Sequence, residues 1–188
     1  MRYSADEGVR AMRLSAGEGV LIRSYAASDL SALVRLADDR RIWQNLRNRF
    51  PHPYTEADGL AWLALAEAMR PETHFALALE PDEELVGGIG LILGADVYVQ
   101  SAELGYWLGE PYWGRGIATR AVRAICDWAF ATFELERIHA GVFDWNPASA
   151  RVLEKAGFTL EARLRRHVTK GGRMGDELIF ARLRSEPA

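Results

Sequence analysis

Residues 104–118 join an apolar strand pattern directly to a glycine-containing loop and then to an apolar-periodic helix. At such a junction several backbone N–H groups lack a helical partner and lie at the positive end of the helix dipole. Glycines in the loop let a ligand come close to the backbone, because they carry no Cβ. The junction therefore favours an α/β domain that binds a phosphorylated ligand where this helix begins.

Two familiar phosphate-binding junctions fit residues 104–118 less well. A nucleotide-hydrolase loop ends in Gly-Lys-Ser/Thr, whereas Gly116 is followed by Ile117, so that interpretation is excluded. A dinucleotide fingerprint needs a third glycine where Thr119 stands, although Glu134 lies near the distance expected of a ribose-binding acid. An NAD-dependent oxidoreductase therefore stays open as a weaker alternative.

A third pattern, Arg/Gln-x-x-Gly-x-Gly/Ala, is matched by residues 113–118 except that Trp113 replaces its first residue. Residues 146–158 are similar to an Asn-helix-Gly-Phe segment, and residues 103–107 to a central strand, of one and the same family. With these three motifs in this order, the chain resembles the GNAT superfamily of N-acetyltransferases over roughly residues 25–183. The likeness points to its RimJ/RimL-like branch, which acetylates ribosomal-protein N-termini.

The hydrophobic and turn patterns predict a mixed α/β domain of helices on a largely antiparallel sheet of about seven strands. The resemblance adds that this sheet is splayed between its strands 4 and 5. A chain of 188 residues suits one domain, so we expect a tail of uncertain order over residues 1–18 and a single domain over residues 19–184. Strands are predicted at 20–25, 74–79, 85–93, 102–108, 137–143, 159–168 and 174–183, and helices from 29, from 55, at 117–130 and at 147–156.

The resemblance implies acetyl-CoA as co-substrate and no metal. Its diphosphate is expected on the backbone of residues 114–119, and its pantetheine arm along Trp107 and Leu108, like an added strand. Asn146 is expected to cap the helix that follows it, to hydrogen-bond the cofactor amide, or to do both. The predicted cofactor-binding residues are Trp107, Leu108, Trp113, Gly114, Arg115, Gly116, Ile117, Ala118, Thr119 and Asn146.

Two residues are predicted to carry the chemistry. Glu103 stands where many relatives place an acid, and it would deprotonate the amine directly or through water. The alternatives are a solvated glutamate at a strand end, with His74 or His139 as the base. Because Leu153 stands where many relatives carry a tyrosine acid, Ser149 is the nearest hydroxyl to protonate the departing thiolate, unless it only packs its helix.

The acceptor is expected to be a primary amine, either a peptide N-terminus or a small molecule. Pro51 and Pro53 exclude regular helix over residues 47–54 and favour an irregular cleft wall. We predict a substrate-binding set of Trp43, Phe50 and Tyr54. The basic residues 163–167 fit a solvated strand face better than a substrate site.

The composition limits the other partners. A formal net charge of −3 gives no electrostatic reason to bind nucleic acid. No apolar run reaches membrane-spanning length, and Asp6 and Glu7 replace the basic start of a signal peptide, so a cytoplasmic protein without membrane contact is expected. A homodimer stays open. A non-catalytic CoA-binding sensor or interaction module is the alternative to an enzyme, because of Trp113 and Leu153, although a pure binder does not need Glu103.

Overall fold

The structure, a computed structural model, describes residues 11–184, and eight strands within them form one sheet. The strands are β1 (Arg13–Ser15), β2 (Val20–Arg23), β3 (His74–Leu79), β4 (Glu84–Leu93), β5 (Ser101–Leu108), β6 (Arg137–Phe143), β7 (Thr159–Lys170) and β8 (Arg173–Leu183). Their spatial order is β1-β2-β3-β4-β5-β6-β8-β7, and of these neighbours β5 and β6 pair in parallel while the other pairs are antiparallel. The expected mixed, largely antiparallel sheet is confirmed.

The additional strand lies where the sequence predicts a tail. Residues 13–15 pair with β2, and Leu14 lies opposite Ile22 at the edge of the sheet. Three residues are too few to show a strand period of two, so the sequence pattern does not reveal them. The part of the predicted tail over residues 1–10 lies outside the described residues.

Five α-helices accompany the sheet within residues 11–184. They are α1 (Leu30–Ala37), α2 (Arg40–Trp43), α3 (Glu56–Ala68), α4 (Ile117–Thr132) and α5 (Pro147–Lys155). Local caps start three of them: Asp39 accepts the Arg41 N–H at 2.7 Å before α2, Thr55 and Asp58 form a capping box on α3, and Asn146 caps α5. The single turn of α2 is too short for a periodic pattern to predict.

Apolar side chains of the sheet pack against helices on both faces. On one face, Ile125 of α4 and Leu153 of α5 are fully buried against the strands. On the other, Leu33 of α1 and Tyr54 pack with Leu85 of β4. Helices on both faces bury the middle of the sheet, so a ligand can reach its centre only where two strands separate.

β5 and β6 separate after a short paired segment. Their register runs only from Ser101 opposite Arg137 to Glu103 opposite His139, whereas β5 continues beside β4 as far as Leu108. Beyond that segment, residues 104–108 of β5 and 140–143 of β6 diverge and leave an opening that we call the strand gap. The expected splay between these two strands is confirmed.

None of the helices in the described part of the chain combines the length and the apolar character needed to span a membrane.

Candidate active site

Alternate residues of β5 present their backbone to the strand gap. The Gly109 N–H donates to the Val86 carbonyl of β4 at 2.8 Å. Because backbone groups alternate in direction along a strand, Trp107 also faces β4, whereas Tyr106 and Leu108 face the gap. The backbone of Tyr106 and Leu108 is therefore open to an added strand, whereas that of Trp107, for which the sequence predicts such a contact, pairs with β4.

Trp113 ties the loop after β5 to the end of that strand. Its indole N–H donates to the Leu108 carbonyl at 2.7 Å, and the Arg41 guanidinium lies 5.7 Å from the centre of its ring. Trp113 therefore occupies the carbonyl of Leu108 and leaves the Leu108 N–H facing the gap. At the motif position where the pattern has Arg or Gln, this tryptophan braces the loop.

The glycine loop, residues 113–116, turns the chain from β5 into α4. Gly114 and Gly116 both have φ of +74°, a region that side chains rarely adopt. The first backbone hydrogen bond of the turn runs from the Arg120 N–H to the Gly116 carbonyl at 3.1 Å. The N–H groups of residues 117–119 consequently have no partner inside the helix and are directed out of its positive end.

On the α5 side of the gap, two hydroxyl groups meet. The Tyr106 and Ser149 side-chain oxygens are 2.7 Å apart, and Asn146 Oδ1 accepts the Ser149 N–H at 3.2 Å. Burial raises the pKa of the Tyr106 phenol, so it stays protonated at neutral pH. The sequence predicted Ser149 but not Tyr106, although Tyr106 alternates with Leu104 and Leu108, which face the same helices.

On the opposite face of the sheet, Glu103 forms an ion pair with Arg47 of the irregular segment before α3. The Glu103 side chain is 25% exposed and lies at the last paired position before the gap opens. Its cross-strand neighbour His139 packs near Ser101, and burial lowers the pKa of His139 more than the Glu103 charge raises it. His139 lies outside the cleft that Glu103 lines.

A second carboxylate, which the sequence did not predict, faces the same cleft from β8. A Cβ on Gly141 would collide with the Glu177 carboxylate, so the missing side chain is what makes room for it. Glu177 is 13% exposed, and its carboxylate lies 3.5 Å from His167 Nε2. The signal for it is alternation along β8, because Leu178 and Phe180 face the core on the other side of the sheet.

These groups line a continuous cleft of about 1430 Å³ that runs from the glycine loop through the gap to an aromatic wall. The ring centre of Phe50 lies 5.2 Å from that of Tyr54 in a tilted contact and 5.9 Å from that of Trp107 in an edge-to-face contact. Burial lowers the pKa of His74 in this wall, and the positive charge of Arg49 lowers it further. The aromatic wall consists of Tyr25, Phe50, Tyr54, Trp62, His74 and Trp107.

Two predicted site residues lie outside the cleft. Trp43 packs under the tip of the β7–β8 hairpin, where Lys170 Nζ lies 3.9 Å above its ring. The Trp43 ring also lies against His52, with the two ring centres 5.7 Å apart. Arg115 points out of the glycine loop, with its guanidinium 5.8 Å from the centre of the Tyr112 ring.

A mixed sheet that opens between two strands, beside a glycine loop at a helix start, is the arrangement that the resemblance to N-acetyltransferases implies. The Acetyltransferase (GNAT) domain family matches residues 20–159, and the chain therefore belongs to the GNAT family.

Similar proteins agree with this assignment. YjcK, a probable N-acetyltransferase of Bacillus subtilis, is 40% identical over 110 residues, which cover 58% of this chain and 61% of that protein. A GNAT-family acetyltransferase from Bacillus anthracis has a similar structure, with a TM-score of 0.79 and 25% identity, covering 92% of this chain and 98% of the other. The structure of RimJ from Mycobacterium smegmatis in complex with CoA-disulfide is also similar, with a TM-score of 0.78 and 26% identity. The match covers 93% of this chain and 87% of RimJ. The resemblance to GNAT proteins, RimJ-like ones included, is confirmed. The sequence match to YjcK spans less than two thirds of that protein's length.

Proposed function

We propose that this protein is an acetyl-CoA-dependent N-acetyltransferase that transfers the acetyl group directly to a primary amine. The observation that carries the proposal is the unpaired edge of β5, which leads straight into the glycine loop. An extended pantetheine arm can pair with such an edge as a peptide strand does, while the free N–H groups at the start of α4 receive the diphosphate. The RimJ structure that holds a CoA compound supports this arrangement.

The chain supplies a backbone site for each part of the co-substrate. The N–H groups of residues 114–119 would hold the diphosphate, and those of Leu108 and Tyr106 would align the pantetheine arm. Asn146 remains available to the arm through its side-chain amide, since only its Oδ1 is occupied, by the Ser149 N–H. Together these contacts direct the thioester to the middle of the gap, between the two faces of the sheet.

A group on each face of the sheet carries out one of the two proton transfers. When the amine nitrogen attacks the thioester carbonyl carbon, a C–N bond forms and the C–S bond breaks. Glu103 takes the proton that the amine loses, directly or through one water, and the Ser149 hydroxyl, hydrogen-bonded to Tyr106, gives a proton to the sulfur that leaves. Glu103 then releases its proton to solvent and Ser149 regains one from solvent, which restores both groups. Transfer needs no covalent enzyme intermediate, because both substrates reach the gap from different sides.

Acetyl-CoA binding is the direct test of this proposal. Calorimetry with acetyl-CoA should give saturable binding, and thiol release should follow with at least one acceptor from a panel of peptides, polyamines, amino acids and aminoglycosides. NAD serves as the parallel ligand, because the weaker oxidoreductase alternative requires it. Absence of heat with acetyl-CoA would reject the proposal.

Removing the Ser149 hydroxyl is expected to lower kcat by about 10²-fold, at the lower end of general acid–base contributions. Ser149→Ala, Tyr106→Phe and the double variant should all bind acetyl-CoA normally in calorimetry. If Tyr106 acts through Ser149, the double variant is no slower than Ser149→Ala alone. Undiminished kcat in Ser149→Ala would show that the thiolate takes its proton from elsewhere.

A CoA-binding sensor without turnover is the second candidate function. The ion pair between Arg47 and Glu103 favours it, because it occupies the carboxylate that a transferase needs. The buried Leu153, which stands where many relatives carry a tyrosine, agrees with it as well. Turnover by the unmodified protein separates the two candidates.

A further inference from the structure

Arg47 occupies the carboxylate that the proposed reaction uses as a base. The pair joins β5 to the irregular segment between α2 and α3, and the Arg47 side chain is 54% exposed. While this contact holds, the Arg47 guanidinium competes with an incoming amine for the Glu103 carboxylate. Because exposed ion pairs contribute little stability, a competing partner for Arg47 can open it readily.

Two further arginines lie on the acceptor side of the cleft without a carboxylate partner among residues 11–184. Arg70 donates to the backbone carbonyls of Glu67 and Met69, at 2.7 Å each. The positive charge of Arg49 lowers the pKa of His74, which belongs to the aromatic wall. Both line the cleft, as Arg47 does.

Two of the three carboxylates that line the cleft lie at the strand gap. Glu103 stands at the last paired position of β5, and Glu177 lies over Gly141 of β6. The other acidic side chain that lines the cleft, Asp58, is held by Thr55 at the start of α3. Negative groups at the gap and positive groups around it match a ligand with a cationic amine at one end and an anion beside it.

We infer that the acceptor is an amine that carries a carboxylate close to its amino group, and that Arg47 recognises this carboxylate. A carboxylate can take the guanidinium in place of Glu103 with the same geometry. After the exchange the ligand carboxylate pairs with Arg47 and the ligand's ammonium group pairs with Glu103, which accepts the proton that the amine loses. The inference rests on the proposed function, since it names the substrate class of that site.

Matched ligands test this inference by binding as well as by turnover. One pair consists of two hexapeptides that both begin with alanine and differ only in the second residue, which is glutamate in one and glutamine in the other. The other pair is β-alanine and β-alanine amide, which separates a small acceptor from a peptide. Affinity for the CoA-loaded protein is measured by calorimetry, and kcat/KM by thiol release. The protein should prefer the acid of at least one pair by roughly tenfold or more.

Arg47→Gln should abolish this preference, because the acid and the neutral ligand of each pair should then bind with about the same affinity. Arg40→Gln is the matched control, because Arg40 is an exposed residue of α2 outside the cleft and its loss changes the net charge equally. It should keep the preference. Melting temperatures followed by circular dichroism would show that both variants fold.

Equal affinity of the unmodified protein for acid and amide in both pairs would overturn the inference. Retention of the preference in Arg47→Gln would overturn it too. Neither result touches the proposed function, which fails separately if acetyl-CoA alone does not bind.

Discussion

Replacing Glu103 by glutamine is expected to lower kcat about 10²- to 10⁴-fold, the range that a positioned general base supplies. Glutamine keeps the shape of the side chain but cannot take the proton of the amine. The affinity for acetyl-CoA should not change, because the glycine loop and the gap-facing backbone of β5 are untouched. Stability should change little, since the Arg47 side of the lost ion pair is exposed to solvent. Calorimetry and thiol release measure the two quantities.

Glu177→Gln is the matched comparison, because it removes the other carboxylate that faces the gap. If Glu103 is the base, Glu177→Gln keeps a kcat far above that of Glu103→Gln. The opposite order would assign the proton transfer to Glu177 and contradict our proposal. Normal acetyl-CoA affinity together with lost turnover in Glu103→Gln would also exclude the passive sensor.

The positions of most strands were predictable, because they follow from local patterns of apolar and turn residues. Alternating apolar residues and turn residues mark the strands from 74 onward, and β6 has the bounds that the sequence predicts. The sheet splay came from the resemblance alone, since no periodicity distinguishes a paired strand edge from an open one. β1 and α2 were missed because three or four residues cannot show a period.

In the candidate site too, features that are local in sequence were predictable, whereas contacts between distant residues were not. The glycine loop is contiguous in sequence, and its φ values follow from residues that are visible there. The pairing of Arg47 with Glu103 joins positions 56 residues apart through a segment without regular structure, so nothing local predicts it. The position of Trp43 outside the cleft is hard to predict for a related reason, because Trp43 lies in α2, which is too short to show a period. Tyr106 and Glu177 could have been found by counting alternate positions along β5 and β8.

Gly116→Asp is expected to weaken CoA binding at least about tenfold, because it puts a negative charge where the diphosphate is proposed to lie. The site has room for the change. A Cβ on Gly116 would approach Arg120 Nη1 at 2.7 Å, and this is the end of a flexible side chain that can move away. Arg120 will neutralise part of the new charge, so the loss should fall short of the full Coulomb repulsion. Calorimetry with CoA measures the affinity.

Two controls separate the charge from backbone strain. Gly116→Ala adds the Cβ at the same φ of +74° without the charge, so it should lose less affinity than Gly116→Asp. Gly172→Asp adds the same charge at φ of +80° in the open turn of the β7–β8 hairpin, where a Cβ meets nothing within 4 Å. It should bind CoA normally. If Gly116→Asp folds and binds CoA as tightly as Gly172→Asp does, the diphosphate does not lie at the start of α4, because a carboxylate there must repel it.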